Sequence, residues 1–307
     1  MISTPTQSKV QLEVFELNSG SCNYQTLAIN LLEPKSLIAV DEMLSLELPA
    51  ELNLQREIIL YGSAPIWLYS HLVECFHDVP WVACYDIRSQ TAVVVSSKVS
   101  QVQPGDTIPI IFNRVLGPAI LISGAPDSGK SVLSYALRVN LAAKRPDTRI
   151  YLHRANWDGE GNHTHENPNQ DLAKRLKDES KFKIHLHPNA SQLMPEYFAY
   201  HADAVRNIQQ VVNLTLVDVG GIADSIKMPV IEQCSHYIVI SKYPDKIQEW
   251  HNLCGGKLKP LAIIHSVWED RLEVLRTEPF LEIVAGKWQA SARVPEVLLE
   301  KVLGVLP

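Results

Sequence analysis

The sequence predicts two domains of different class: a small α+β unit, then an α/β unit with a mostly parallel sheet. Three observations predict this. Up to residue 112 the apolar runs are short and strand-like, with one helical stretch among them. From Ala119 onward short apolar strands alternate with helical segments, the mark of a parallel sheet covered on both faces. Between the two, Phe112–Pro118 breaks the pattern with Asn113, Arg114, Gly117 and Pro118. The expected domains are residues 8–112 and 117–307, and 307 residues suffice for two modest cores.

In the first part, strands are expected at Val10–Leu17, Lys35–Val40, Ile58–Tyr61, Trp81–Ile87 and Thr91–Ser96, with an edge strand at Ile108–Ile111. Ala64–His77 reads as a helix, because Ile66, Leu68, Leu72, Val73 and Phe76 share one broad apolar face at a period of 3.6. Val102–Asp106 is a turn by composition. In the second part, strands are expected at Ala119–Ser123, Arg149–His153, Val212–Val217, Tyr237–Ser241 and Leu261–His265. Helices fall at Val132–Ala143, Leu172–Glu179, Tyr197–Val211 and Asp245–Leu253.

The sharpest motif is Gly124-Ala125-Pro126-Asp127-Ser128-Gly129-Lys130-Ser131, a full G-x-x-x-x-G-K-[ST] between a strand and a helix. Its glycines let successive backbone N–H groups turn inward around an anion, and the helix start adds its unpaired N–H groups. Lys130 is expected to reach the β- and γ-phosphates of a nucleoside triphosphate such as ATP, and Ser131 to offer its hydroxyl to Mg²⁺. A tight strand-to-helix turn without a ligand is the bland alternative.

A carboxylate is wanted near that metal. Asn213–Val217 is an apolar strand ending in Asp218, followed by Val219-Gly220-Gly221, so Asp218 takes the Walker-B role, against the alternative of a helix-cap or turn aspartate. The polar loop Trp157–Glu166 can carry a base, a second-substrate site or a lid, with Asp158 and Glu160 as acids and His163 and His165 as a weak metal pair. Arg154 can touch phosphate or pair with a carboxylate.

Composition bounds the partners. Apolar residues are 46% and charged residues 20% of the chain, as in a soluble globular protein. A formal net charge of -6 argues against long duplex nucleic acid, while a small anion remains within reach of local cations. Five cysteines, with no C-x-x-C pair, suggest neither disulfide framework nor structural zinc, and fit a reducing cytoplasm. The first ten residues lack the pattern of a signal peptide, and no apolar run is long enough for a membrane span.

A second cluster lies in Gly62-Ser63-Ala64-Pro65-Ile66-Trp67, His71, His77 and Asp86-Ile87-Arg88. The turn at Gly62–Pro65 can present amides to a phosphate. A short connection through Pro80 is expected to bring His77 beside Asp86 and Arg88. Those groups suit phosphodiester cleavage: His77 moves a proton or binds a cation, Asp86 orients water or holds the cation, and Arg88 steadies the phosphorane. The alternative is structural, with His77 capping its helix and Asp86 pairing with Arg88 in a hairpin.

Gly62, Pro65-Ile66-Trp67, Leu72, His77, Pro80, Val82-Ala83, Tyr85-Asp86, Arg88 and Ala92-Val93-Val94 together resemble the CRISPR-associated ring nuclease family of type III systems, sometimes fused to an AAA-like domain. The resemblance covers about residues 8–112. It implies a ferredoxin-like domain that dimerises, binds cyclic tetra-adenylate and cleaves it with Mn²⁺. It also implies catalytic roles for His77, Asp86 and Arg88, metal ligation by His77 and Asp86, and ligand binding by Gly62, Ser63, Pro65, Trp67, His71 and Arg88. Where that family commonly has Ser-His after the Ala-Val-Val strand, this chain reads Ser96-Ser97, and Ser97 cannot do an imidazole's work.

The expected function is therefore a manganese-dependent ring nuclease joined to an ATP- and Mg²⁺-binding P-loop domain, in a homo-oligomer built from dimers. Two alternatives remain: a non-cleaving cyclic-oligoadenylate sensor that regulates the P-loop domain, and a P-loop nucleotide kinase or ATPase.

Overall fold

A computed structural model describes residues 9–32, 38, 40, 43, 46–112, 115–157, 171, 175, 184–286, 288 and 294–307. The chain divides into two compact units, Met1–Asn113 and Arg114–Pro307. The expected strand Lys35–Val40, helix Leu172–Glu179 and polar loop after Trp157 fall almost wholly outside the described residues.

The first unit is a mixed sheet of β1 (Val10–Ser19), β2 (Cys22–Leu31), β3 (Ile58–Gly62), β4 (Trp81–Asp86), β5 (Thr91–Ser97) and β6 (Thr107–Pro109), lying side by side in chain order. The parallel pairs are β2–β3 and β3–β4, and helix α1 (Ile66–Cys75) makes the β3–β4 crossover. Leu68, Leu72 and Phe76 of the α1 segment pack on Leu27, Ile29, Ile58, Leu60 and Val82 of one sheet face. Ile59, Trp81, Ala83, Ala92 and Val94 build a second core on the other face. Strand alternation explains the split, since neighbouring residues such as Ile58 and Ile59 point oppositely.

Two expectations are corrected here. A ferredoxin-like βαββαβ unit carries two helices and interleaves its strands, whereas the described strands run in sequence with one crossover helix. The unit is a mixed α/β domain. Ile66 does not join the apolar face of α1: it is 86% exposed at the helix start, because the face is set by Leu68, Leu72 and Phe76.

The second unit is a seven-stranded sheet in the order β12-β13-β11-β10-β7-β9-β8. Its strands are β7 (Ala119–Ser123), β8 (Ile150–Ala155), β9 (Leu214–Val219), β10 (His236–Ser241), β11 (Lys259–Ser266), β12 (Arg271–Arg276) and β13 (Leu281–Gly286). All neighbours are parallel except β12–β13. Among the described residues, its continuous helices are α2 (Lys130–Lys144), α3 (Ala190–Gln209), the short α4 (Met228–Ile231), α5 (Pro244–Cys254) and α6 (Glu296–Leu303).

Ile120 and Ile122 pack with α2 and α6 residues on one face. Ala119 and Leu121 pack with α3 and α5 residues such as Phe198, Val205 and Trp250 on the other. Burial on both faces is why these strands read as unbroken apolar runs. The phosphate-loop strand β7 pairs directly with β9, the strand that ends in Asp218. The second unit is an α/β fold with a mostly parallel sheet and a phosphate-loop motif between its first strand and the helix that follows it.

Candidate functional site

The loop after β7 forms because its sequence permits a backbone that others do not. Gly124 has φ +142, and a Cβ there would lie 1.7 Å from the Ile240 carbonyl oxygen. Gly129 caps α2 in the left-handed region at φ +85. Asp127 is also left-handed, at φ 55, which aspartate tolerates better than most residues. Gly221 completes the cradle from the β9 side: a Cβ on it would meet Pro126 at 2.7–2.8 Å. Ser128 is buried and its hydroxyl accepts a hydrogen bond from the Lys242 N–H at 3.3 Å, tying the loop to the end of β10.

Lys130 opens α2, and its ammonium donates to Asp218 Oδ1 at 2.7 Å. Arg154, near the end of β8, donates through Nη1 to Asp218 Oδ2 at 2.9 Å. Asp218 is wholly buried, and the two cations are nearly so. Burial acts to raise the Asp218 pKa, but the charges of Lys130 and Arg154 outweigh it and hold the carboxyl below its ordinary value. A buried carboxylate facing two cations is thus a paired and hydrogen-bonded arrangement.

Past Asp218 the chain is held by a group the sequence did not single out. Lys227 is fully buried; its ammonium donates to the carbonyls of Gly220 at 3.3 Å and Ile222 at 2.5 Å and lies 4.0 Å from the Trp157 ring centroid. It pins the glycine pair that flanks the phosphate loop. Trp288 was also missed: its indole Cδ1 lies 2.9 Å from the place a Gly129 Cβ would take. Ser131 is the second residue of α2, in its first turn. Asp218 is the fifth residue of β9, and both its oxygens are engaged, Oδ1 by Lys130 and Oδ2 by Arg154, so a magnesium ion carried in on a triphosphate would find a carboxylate oxygen there only where Lys130 turns away.

The N-terminal candidates separate into two groups. Gly62 ends β3 at φ +139, where a Cβ would strike the Ile29 carbonyl oxygen at 2.3 Å. Its own carbonyl accepts from the Tyr69 hydroxyl at 2.8 Å. Ser63, Ala64 and Pro65 turn the chain into α1, and Trp67 packs partly buried on the core. Asp86 ends β4 at this same edge, since β3 and β4 run parallel. Arg88 grips it with two hydrogen bonds, Nε to Oδ1 at 2.9 Å and Nη2 to Oδ2 at 3.0 Å. Burial tends to raise the Asp86 pKa, and the Arg88 hydrogen bonds more than offset it.

His77 lies at the other edge. It follows α1, with Nδ1 2.9 Å from the Glu74 carbonyl oxygen and Nε2 3.1 Å from Asp78 Oδ2. Asp86 is the last of the six residues of β4, so about 17 Å of strand separates the end His77 lies at from Asp86. The connection through Pro80 returns the chain into β4 rather than folding its two ends together. Ser97 belongs to the His77 edge, paired with Trp81 across the β4–β5 ladder. Its hydroxyl donates to the Val99 carbonyl at 3.1 Å. His71 lies within α1, its Nε2 3.6 Å from Cys75 Sγ.

Within one protomer these residues do not fit a manganese site. Both Asp86 oxygens are taken by Arg88, His77 is remote, and no group of three or more His, Cys, Asp or Glu side chains suited to a metal occurs among the described residues. No helix among the described residues is long and apolar enough to cross a membrane.

Fold and site thus define a protein with an α/β unit that carries a complete phosphate-loop motif, preceded in the chain by a mixed α/β unit. Comparison with known proteins finds a similarity in the first part. Residues 31–109 match the family of CRISPR-associated proteins described as Cas_csx3. An uncharacterized protein of Aquifex aeolicus is 41% identical over 51 residues, 17% of this chain and 46% of that protein, so the match spans under half of the relative.

Among solved structures, the kinase domain of the Escherichia coli tyrosine kinase ETK is 14% identical, with a TM-score of 0.34, covering 47% of this chain and 66% of that one. The septum site-determining protein MinD of Pyrococcus horikoshii, complexed with Mg-ADP, is 12% identical at a TM-score of 0.34, covering 49% and 70%. A putative plasmid partition protein of Borrelia burgdorferi bound to AMPPNP is 9% identical at a TM-score of 0.41, covering 62% and 98%.

Proposed function

We propose that this protein binds a nucleoside triphosphate with magnesium on Gly124–Ser131 and couples that site to a cyclic oligoadenylate held by its N-terminal unit. The Lys130–Asp218 hydrogen bond of 2.7 Å supports the first half most directly. It is the resting contact of a lysine that a phosphate can recruit. The amides of Gly124 to Gly129 cradle the phosphates, Lys130 turns to their β- and γ-oxygens, and Arg154 keeps Asp218 ionised as Lys130 leaves. Ser131 and Asp218 would hold the magnesium, which would supply neutralisation of phosphate charge.

The resemblance to the ring nuclease family carried by Gly62, Pro65-Ile66-Trp67, Asp86 and Arg88, together with the match to CRISPR-associated proteins over residues 31–109, supports cyclic tetra-adenylate as the second ligand. The edge carrying Gly62, Ser63, Pro65, Trp67 and Arg88 offers the amides of a helix start and a guanidinium to its phosphates. Because His77 lies at the opposite edge, binding without cleavage by a single protomer is the reading that fits this geometry. Ring-nuclease activity is the second reading, favoured by the family match. It requires an oligomer in which the His77 edge of one copy meets the Asp86 edge of another over a shared ligand.

Incubation of purified protein with labelled cyclic tetra-adenylate, with and without Mg·ATP and manganese, tests both. Retained, uncut ligand whose affinity shifts with ATP supports the coupled sensor. Linear product that disappears in both H77A and D86A supports the nuclease. Failure to retain the ligand under every condition rejects the assignment of the N-terminal unit.

A further inference from the structure

The P-loop sits where the order of strand addition reverses. From β7 the chain moves to β8 and β9 on one side, then crosses to β10 and β11 on the other. Ligands of open α/β sheets bind outside the carboxyl ends of the strands at such a point. Two strand ends on the β10 side of that crevice carry side chains that no role above uses.

β10 runs into Lys242, whose N–H holds Ser128 of the phosphate loop at 3.3 Å, and then Tyr243, which precedes α5. β11 runs into Val267 and Trp268. The Lys242 ammonium lies 5.2 Å from the Tyr243 ring centroid and 5.3 Å from that of Trp268, so the cation stands between two aromatic faces. Trp268 is 76% exposed and Tyr243 47%.

Large aromatic side chains this open bury little of their surface in the fold, so they gain from a partner. The Trp268 turn is nonetheless braced. Gly286 lets the end of β13 approach so closely that a Cβ there would lie 2.1 Å from the Val267 carbonyl oxygen, and the Val267 N–H donates to the Ala285 carbonyl at 3.1 Å.

We propose that Tyr243 and Trp268 form the base-binding part of the nucleotide site, stacking a purine, with Lys242 directed at the sugar-phosphate next to it. This rests on the P-loop reading and deepens it by naming the substrate class. A flat, exposed, braced indole beside a phosphate loop matches the two ends of a nucleotide, one anionic and one a π-face. A purine presents more stacking surface than a pyrimidine, so the site should favour ATP and GTP over CTP and UTP.

Titration calorimetry of the full chain with Mg²⁺ and each of ATP, CTP and inorganic tripolyphosphate tests this, on wild type, W268A, Y243A and W268F. Because Trp268 is exposed, its truncation opens no core cavity, and melting temperature checks this. The expected result is ATP bound more tightly than CTP by wild type. ATP affinity should fall about 5- to 100-fold in W268A, be largely restored in W268F, and leave tripolyphosphate binding unchanged. Unchanged ATP affinity in W268A and Y243A, or equal affinity for CTP and ATP, overturns the inference while leaving the P-loop reading intact. Wild type that binds neither ATP nor tripolyphosphate overturns both.

Discussion

The Lys130 ammonium and the Asp218 carboxylate meet at 2.7 Å although 88 residues separate them in the chain. Parallel pairing of β7 with β9 brings the start of α2 beside the end of β9 and makes the contact. Arg154 supplies the second cation from β8, the next strand over. Three consecutive positions in the sheet order thus build one charged centre under the phosphate loop.

Arg154→Ala should destabilise the second unit by about 3–5 kcal/mol, since it removes one cation from a carboxylate buried away from water. Chemical denaturation of R154A and wild type measures it. Arg154→Lys should recover part of the loss through charge while lacking the guanidinium's geometry. A variant as stable as wild type would show that Asp218 needs only Lys130.

Asp218 predicts a pH dependence of definite sign. Its folded pKa is lowered, from an unfolded value of about 3.9. The stability it contributes is therefore fully present above that value and is lost as pH falls through the lower, folded one. The stability gap between wild type and D218N should be constant near neutrality and shrink below about pH 4. Urea midpoints for both proteins from pH 7 to pH 3 read this directly. A gap that does not change to pH 3 would contradict the charged triad.

Gly124→Ala should cost at least about 1–3 kcal/mol, because it forces a side chain into a positive-φ backbone and against the Ile240 carbonyl. Gly256→Ala is the control: its Cβ would meet nothing within 4 Å, and its change should stay within about 0.5 kcal/mol. Melting curves of the two variants side by side decide whether the loop is as tight as described.

Asp86 and Arg88 are partly exposed, so D86A and R88A should each change stability by no more than about 1 kcal/mol. R88A should nevertheless weaken cyclic tetra-adenylate binding about tenfold or more, as expected when a guanidinium that grips phosphate is lost. D86A releases Arg88 and should retain most of the binding. Fluorescence anisotropy with labelled ligand and melting temperature on the same samples separate binding from folding. Equal binding by R88A and wild type would remove Arg88 from the site.

Much of the second unit was legible in the sequence for a physical reason. Strands buried on both faces read as apolar runs, and the phosphate loop demands glycine at fixed offsets, so β7, β9, β10 and β11 stand out. β12 did not, because every residue of Arg271–Arg276 is exposed and the strand forms only by pairing with β13. β2 was hidden by Gln25 and Thr26, polar residues that the fold buries; Gln25 is satisfied by Asn53 and Glu57 of a distant loop. Trp288 over Gly129 and Lys227 under Gly220 are long-range or side-chain-to-backbone contacts that leave no periodic trace. The pairing of His77 with Asp86 went wrong over a direction: a helix crossover returns the chain to the opposite end of the sheet, so the two residues bracket β4 instead of meeting.

The central claim is that Lys130 exchanges Asp218 for the phosphates of a nucleotide. Titration calorimetry of Mg·ATP into wild type and K130A, with folding of both verified by circular dichroism, tests it most directly. The account predicts saturable, magnesium-dependent binding to wild type that falls at least about tenfold in folded K130A. Binding of equal strength in K130A, or none in wild type, would contradict it.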